Sequence, residues 1–396
     1  MLIPFITCAL LYGQKFENLA LTPPMGWNTW NTFKADINEQ LIMDMVDIFD
    51  SAGYKEAGYK YVTLDDGWMA MERDSLGNLV PHTEKFPNGI KAIADYVHSK
   101  GLKFGIYGCA GNRTCAGYPG NRGHEYQDAL TYASWGVDYL KYDWCNTDDL
   151  NARGAYTTMR DALYAAKRPV VFSLCEWGNN QPWEWGKDVG HLWRISGDIA
   201  VCWDCEVDHG TWSDWGVMRI VYMRDGIHGY TGPDHWNDYD MMEVGNGMSV
   251  NEDRSHFTLW CMFSSPLFMG HDLRKASKET VGILTNKEVI AINQDSLGIH
   301  AFRYSDKDSL EIWVKPLAKG DWAICFLNRN GSPCEFNFNW NDHHIADNIN
   351  NMEINFDRDN YKIRDLWLKK DAGTTKKILK AEIQSHDVLL LRLTNE

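Results

Sequence analysis

In this 396-residue chain, acidic residues recur where short apolar runs end. Asp65 and Asp66 follow Leu64, Asp143 closes Lys141-Tyr142-Asp143, and Glu176 follows Cys175. Arg194 leads on to Asp198, and Asp238 and Asp240 close a further segment. Trp27, Trp30, Trp68, Tyr107, Trp144 and Trp177 stand beside these positions. One such acid reads as a surface charge or a helix cap. A ring of acids and aromatics reads as a pocket for hydroxyl groups and sugar-ring faces. Glycoside hydrolysis needs two carboxyl groups, one ionised to attack or to activate water, the other protonated to assist the leaving oxygen. Asp143 suits the ionised role. Lys141 lies two residues earlier on the same strand face, and a nearby ammonium favours the carboxylate. A structural ion pair explains these two residues equally well. Asp198 sits in a Gly-Asp turn, and spacing alone does not select it over Asp240 or Asp204.

These residues require a scaffold that collects strand ends. Between about residues 21 and 294, apolar runs alternate with amphipathic segments. The strands are expected at 25–30, 61–64, 102–107, 137–142, 170–174, 193–196, 227–231 and 266–269. Helices are expected after Asp36, through a capping box with Glu39, and at 90–98, 126–134 and 156–166. Eight β-α repeats predict a (β/α)8 TIM barrel, whose chemistry sits at the C-terminal ends of its strands. An open doubly wound sheet is the alternative, but no Gly-rich phosphate loop follows the first strand. After Gly298 the pattern becomes all-β. Strands at 310–314, 322–327, 334–340 and 388–393 predict an antiparallel β-sandwich domain, with 341–360 as a long loop. The expected units are residues 16–298 for the catalytic barrel and 299–396 for the β domain.

A net charge of −15 argues against nucleic-acid binding, which needs a basic footprint. The 18 Trp and 18 Tyr residues fit an aromatic core and a sugar-lined pocket alike. Ten cysteines are too scattered for a zinc cluster, and the single Cys202-x-x-Cys205 pair reads as thiols or a local disulfide rather than a metal site. No metal or cofactor is expected. The apolar run at residues 2–11 is too short to span a bilayer. It reads as a signal-peptide remnant within residues 1–15, which implies a secreted or periplasmic protein with no membrane span.

Eight ordered blocks carry a resemblance. They are PPMGWNTW (23–30), LDDGW (64–68), GNRTCAGYPG (111–120), YLKYDWCN (139–146), CEWG (175–178), WRISGDI (193–199), WNDYDMMEVGNG (236–247) and NQDSLG (293–298). Together they resemble glycoside hydrolase family 27, the α-galactosidases and α-N-acetylgalactosaminidases, from about Leu21 to the end of the chain. The resemblance implies a retaining, exo-acting α-galactosidase working by double displacement on a galactose-containing oligosaccharide or polysaccharide. It places the nucleophile on Asp143 and the acid/base on Asp198, with carboxyl groups roughly 5–5.5 Å apart. Lys141 and Arg194 become sugar contacts, Asp65 and Asp66 acceptors for the 4- and 6-hydroxyls, Trp30 and Tyr107 pocket walls, and Asp240 and Met241 the pocket floor. It pairs Cys115 with Cys145 in a disulfide. Glu176 is expected to face the 2-hydroxyl, where N-acetylgalactosamine-specific members have small residues.

The chain departs from the family pattern at Tyr239, at Trp144, at Gly108-Cys109, at Asp234-His235, and at His191, where some relatives have a cysteine to pair with Cys175. These departures are read as lying around the pocket mouth. The alternatives on this scaffold are a β-L-arabinopyranosidase, an α-N-acetylgalactosaminidase and a non-catalytic galactose-binding protein.

Overall fold

The computed structural model describes residues 15–224 and 226–395. The apolar run at residues 2–11 lies outside them, while Lys15, the last residue of the segment read as a signal remnant, belongs to the fold. Its ammonium donates to the carbonyls of Lys187 and Gly190 and pairs with Asp234 at 3.3 Å.

Six parallel strands open the chain: β1 (Met25–Asn28), β2 (Tyr61–Thr63), β3 (Lys103–Cys109), β4 (Tyr139–Asp143), β5 (Val171–Cys175) and β6 (Leu192–Arg194). An antiparallel hairpin, β7 (Glu206–Asp208) and β8 (Ser213–Trp215), interrupts the alternation. Then come β9 (Trp236–Asp238) and β10 (Leu267–Met269). The eight parallel strands run in the order β10-β1-β2-β3-β4-β5-β6-β9. The ring closes just past β9, where Met242 bridges Met269. The Met242 N–H donates to Phe268 at 2.7 Å, and its carbonyl accepts from Gly270 at 3.1 Å. The (β/α)8 barrel is thus present.

The seventh barrel strand is not at 227–231. That segment is a 3-10 turn, Ile227–Tyr230, entered through Gly226 at φ 86°. Only Ile227 in it is buried, whereas an inner strand must be covered on both faces, as Trp236 and Asn237 are. The first long helix, Glu39–Ser51, is capped by Asn38, whose side chain accepts from the Leu41 N–H at 2.9 Å; Asp36 lies outside it. Its buried Leu41, Ile42, Met45, Val46 and Phe49 form the helical stripe that packs on the barrel.

The C-terminal domain has a six-stranded antiparallel sheet plus two two-stranded sheets. The segment expected as a long loop contains one of these hairpins, His344–Asp347 with Met352–Asn355. The central strands of the six-stranded sheet are buried on both faces. Ile312, Val314, Trp322, Ile324 and Phe326 pack into the domain's own core with Trp340, Ile345 and Ile354. The alternating Trp313, Ala323, Cys325 and Leu327 pack into the barrel's core. Period-2 alternation here separates two apolar layers instead of an inside from an outside.

Candidate active site

Parallel pairing puts Tyr107 of β3, Lys141 of β4 and Ser173 of β5 in one register row, and Cys109, Asp143 and Cys175 in the next. Strand alternation sends Lys141 and Asp143 to the same face. At this end of the barrel lies a pocket of about 660 Å³. Trp30, Asp65, Asp66, Tyr107, Lys141, Asp143 and Asp198 all line it, seven of the eleven contacts expected from the sequence.

Asp65 is anchored from two sides. Its Oδ2 accepts from the Asn28 amide at 2.7 Å and from the Lys141 ammonium at 2.9 Å. Asp66 accepts from the Ala116 N–H at 2.9 Å and the Gly67 N–H at 2.8 Å, and burial pushes it up to about 6 despite those donors. Both carboxyl groups are therefore fixed as rigid acceptors at the pocket wall.

Burial raises the Asp143 carboxyl to about 7; Lys141 and the Trp144 N–H act against that rise, and the charge of Asp198 adds to it. Asp198 behaves differently. Burial tends to raise it, but Arg194 and Lys141 together hold it below the ordinary carboxylate range. Its side chain is 40% exposed, against 3% for Arg194. Arg194 Nη2 lies 3.1 Å from Asp198 and 2.8 Å from Asp240. Asp240 also accepts from the Ile199 N–H at 2.8 Å. Arg194 and Asp240 thus sit beneath the pocket and hold the Asp198 segment instead of lining the wall. Met241 likewise lies below, in a minor cavity of about 20 Å³ shared with Tyr139, Arg194 and Phe268.

Glu176 does not reach the pocket. It is fully buried; its Oε2 accepts from the backbone N–H and side-chain amide of Asn180, the latter at 2.7 Å, while its Oε1 is buried without a hydrogen-bond partner. Trp177 lines the wall in its place, with φ at 59°. Left-handed backbone is costly for a bulky residue and concentrates at functional sites. Asp240 (φ 80°) and the pocket residue Lys34 (φ 51°) share it. A strained Trp next to an acidic residue leaves no mark in the sequence. Lys34, Asn179, Arg224 and residues 211–215 of the hairpin also line the pocket and were not anticipated.

Cys115 and Cys145 form a disulfide on the pocket wall, and Cys202 and Cys205 form a second. Cys115, Asp143 and Cys145 lie close enough together to suggest a metal site, but the two sulfurs are bonded to each other, which leaves one carboxylate. The positions that depart from the family pattern pack behind the pocket, not at its mouth. Tyr239 hydrogen-bonds His300 at 2.8 Å, Trp144 stacks on Tyr156 at 5.5 Å, and His235 bonds Asp234 at 3.0 Å. The thiol of Cys109 bonds the Cys145 carbonyl at 3.2 Å. His191 bridges strand and N-terminal segment, accepting from the Phe172 N–H at 2.9 Å and meeting the Phe16 carbonyl at 2.9 Å. Cys175 is a buried free thiol.

An eight-stranded barrel with two carboxyl groups and a further anchored acidic pair at its strand ends defines a glycoside hydrolase of the TIM-barrel class. The family profile described as alpha galactosidase A matches residues 22–295, and that of the alpha galactosidase C-terminal beta sandwich domain matches 307–393. The chain belongs to the α-galactosidase A family. It is 55% identical over 382 residues to alpha-galactosidase A of Cellvibrio japonicus, covering 96% of this chain and 94% of that one. Alpha-galactosidase I from Mortierella vinacea superposes with a TM-score of 0.89 at 36% identity, over 96% and 98% of the two chains. The Saccharomyces cerevisiae α-galactosidase solved with raffinose gives 0.86 at 31% identity, over 96% and 98%.

Proposed function

We propose that this chain is a retaining exo-α-galactosidase that removes terminal non-reducing α-D-galactosyl residues by double displacement. The observation that carries the reading is that Asp143 and Asp198 line one pocket whose wall holds the anchored acceptors Asp65 and Asp66. Asp143 attacks the anomeric carbon while Asp198 protonates the leaving oxygen. Asp198 then takes a proton from the water that releases galactose. Below about pH 7 the two carboxyls hold one proton between them, the number this cycle needs. Covering the exposed side of Asp198 with substrate strips its water and favours its protonation. Positive charge growing at the anomeric carbon favours ionised Asp143. Both effects move the proton from Asp143 to Asp198.

Galactose selectivity rests on Asp65 and Asp66, because paired acceptors discriminate an axial 4-hydroxyl and hold a 6-hydroxyl. The extra acceptor disfavours β-L-arabinopyranosides, which lack the exocyclic group. With Glu176 turned away, the argument against N-acetylgalactosamine passes to Trp177, a large residue on the pocket wall next to it. The natural substrates are then galactose-containing oligosaccharides, the class to which the raffinose bound by the yeast relative belongs. We assign catalysis to residues 16–298 and treat 299–396 as a separately patterned unit. Two disulfides support an oxidising compartment, secreted or periplasmic. No described helix is long and apolar enough to cross a membrane.

The test is parallel hydrolysis of the p-nitrophenyl α-D-galactopyranoside, β-L-arabinopyranoside and N-acetyl-α-D-galactosaminide, with the anomer first released followed by NMR. Preference for the first, with α-galactose as the initial product, supports the proposal. Preference for another sugar overturns the reading of the pocket wall, and release of the β-anomer overturns double displacement. Binding of galactose without hydrolysis favours a lectin.

A further inference from the structure

The β7–β8 hairpin is the one element of the pocket wall that the β-α alternation does not account for. It emerges eight residues after Asp198 and returns to the same place. Trp215, at the end of β8, donates its N–H to the Asp198 carbonyl at 2.8 Å, and the Ala200 N–H donates back to Trp215. At the foot, Cys202 and Cys205 are bonded together, and Gly216 lies so close that a Cβ there would meet Cys205 N at 2.6 Å and Cys202 Sγ at 2.8 Å. Gly197, immediately before Asp198, approaches the Trp215 indole in the same way, at 3.0 Å. The hairpin is therefore bolted to the segment that carries Asp198 and holds a fixed position relative to it.

Its turn ends at Trp212, which lines the pocket yet remains 56% exposed. The indole therefore offers apolar surface at the pocket mouth. The ring is also held in place. His209 stacks on it with centroids 4.0 Å apart and planes 23° from parallel, and His209 is in turn fixed by Asp214 at 3.1 Å. One face of the indole is covered, and the exposed remainder is presented to the pocket. Asp214 and Thr211 line the pocket beside it, offering polar partners next to an apolar plane. An aromatic plane flanked by hydroxyl and carboxylate groups is the recognition chemistry of a pyranose ring.

We propose that Trp212 is a specificity determinant for the leaving group: it stacks on the sugar residue attached to the departing oxygen and so selects galactosyl oligosaccharides over galactosides with small aglycones. This rests on the hydrolase reading above, because the leaving group must pass Asp198 on the side where the hairpin stands. Stacking of this kind held into the transition state raises kcat/KM for the oligosaccharide without altering chemistry at the anomeric carbon.

The test compares melibiose and raffinose with α-D-galactosyl fluoride, whose leaving group has no ring. The ratio of kcat/KM for oligosaccharide to that for fluoride is measured in the wild type, Trp212→Ala and Trp212→Phe. The ratio is expected to fall roughly tenfold in Trp212→Ala, the size of one aromatic contact, and to recover in Trp212→Phe. His209→Ala, which frees the indole, is expected to give a smaller fall in the same ratio. A ratio unchanged in Trp212→Ala overturns the proposal, as does an equal loss on methyl α-D-galactopyranoside, whose ringless leaving group needs the same acid assistance as a sugar, because that loss means that the hairpin merely supports Asp198. A wild-type enzyme that turns over neither fluoride nor oligosaccharide fails the hydrolase reading instead, so the two failures are distinct.

Discussion

Lys141 gives its hydrogen bond to Asp65, 2.9 Å away just past the end of β2, and not to Asp143, two residues along its own strand. Lys141 therefore has two functions: it fixes an acceptor on the wall and supplies a cation beneath the carboxyl pair. Replacing it by Met leaves Asp65 buried with only the Asn28 amide and its own backbone contacts. It also removes the positive charge that acts against the rise of Asp143. The expected result for Lys141→Met is a fall in kcat/KM of at least about 10²-fold, with the alkaline limb of the pH profile displaced upward. A displacement downward would mean that Lys141 does not act on the carboxyl pair.

The pH profile of the native enzyme follows from the same pair. Activity needs one proton shared between Asp143 and Asp198, and the protonated member lies near 7. The kcat/KM for an aryl α-galactoside is expected to decline as pH rises through about 7. Stability is linked to the same group. A carboxyl raised from 3.8 to about 7 stabilises the fold fully below its unfolded value and loses that contribution as pH climbs through 7. Buried imidazoles such as His256 and His300, both held neutral by burial, run the other way, so whole-protein melting mixes the two trends. Asp143→Asn isolates one group. Its Tm relative to wild type is expected to rise between about pH 4 and pH 7 and stay level above, while turnover falls by about 10³-fold or more. A Tm difference independent of pH would contradict this account of Asp143.

Asp240 acts through Arg194. It takes the shorter of the two contacts, 2.8 Å against 3.1 Å for Asp198, and so limits how strongly the guanidinium holds Asp198 ionised. In Asp240→Asn the competing charge is gone and Arg194 turns its full charge on Asp198, which is held ionised more firmly and carries the catalytic proton less often. Loss of acid assistance matters most where the leaving group is poor. Hydrolysis of melibiose is expected to fall about tenfold further than hydrolysis of an aryl galactoside with a good leaving group. Equal losses would assign Asp240 a purely structural part.

The barrel and the carboxyl ring were legible because both are written in strand-end residue types. The acids follow apolar runs, and a barrel brings such ends together whatever the loops do. Spacing did not select Asp198 over Asp240, because both are acids in turns and what separates them is which side of Arg194 each occupies. Glu176 was misplaced for a related reason. A carboxylate beside Trp177 faces either the pocket or its own loop, and only the hydrogen bonds from Asn180, four residues on, turn it to the loop. Strand seven was missed because Trp236-Asn237-Asp238 carries no β-branched residue, while Ile227 supplied a false signal. The β7–β8 hairpin breaks the β-α alternation, so reading by alternation passed over it. In the C-terminal domain the long apolar runs were legible, while strands such as Tyr361–Asp365 and Leu379–Ile383 were passed over because each is short and broken by charged residues.

Lys315 carries the last prediction, which concerns how the two domains hold together. It lies on the barrel-facing side of the six-stranded sheet, in phase with Trp313, and is completely buried. With no carboxylate at hand, its ammonium donates to the carbonyls of Cys261 at 3.2 Å and Ile292 at 2.6 Å and to the Ser264 hydroxyl at 2.8 Å. Cys261 lies in the last turn of the helix Val250–Met262 and Ile292 in the last turn of the helix Lys287–Asn293, so one β-domain side chain caps two barrel helices. Burial lowers its affinity for a proton, to about 7, yet the amine still donates when neutral. Lys315→Met keeps the bulk and removes the donors, leaving buried carbonyls unpaired. The expected loss is about 2–4 kcal/mol of stability, seen as a lower Tm and as earlier proteolytic separation of the β domain from the barrel. Because the pocket lies at the strand ends, away from this contact, kcat and KM below the melting range should change little. An unchanged Tm would show that the apolar layer around Trp313 and Leu317 is sufficient to hold the domains together.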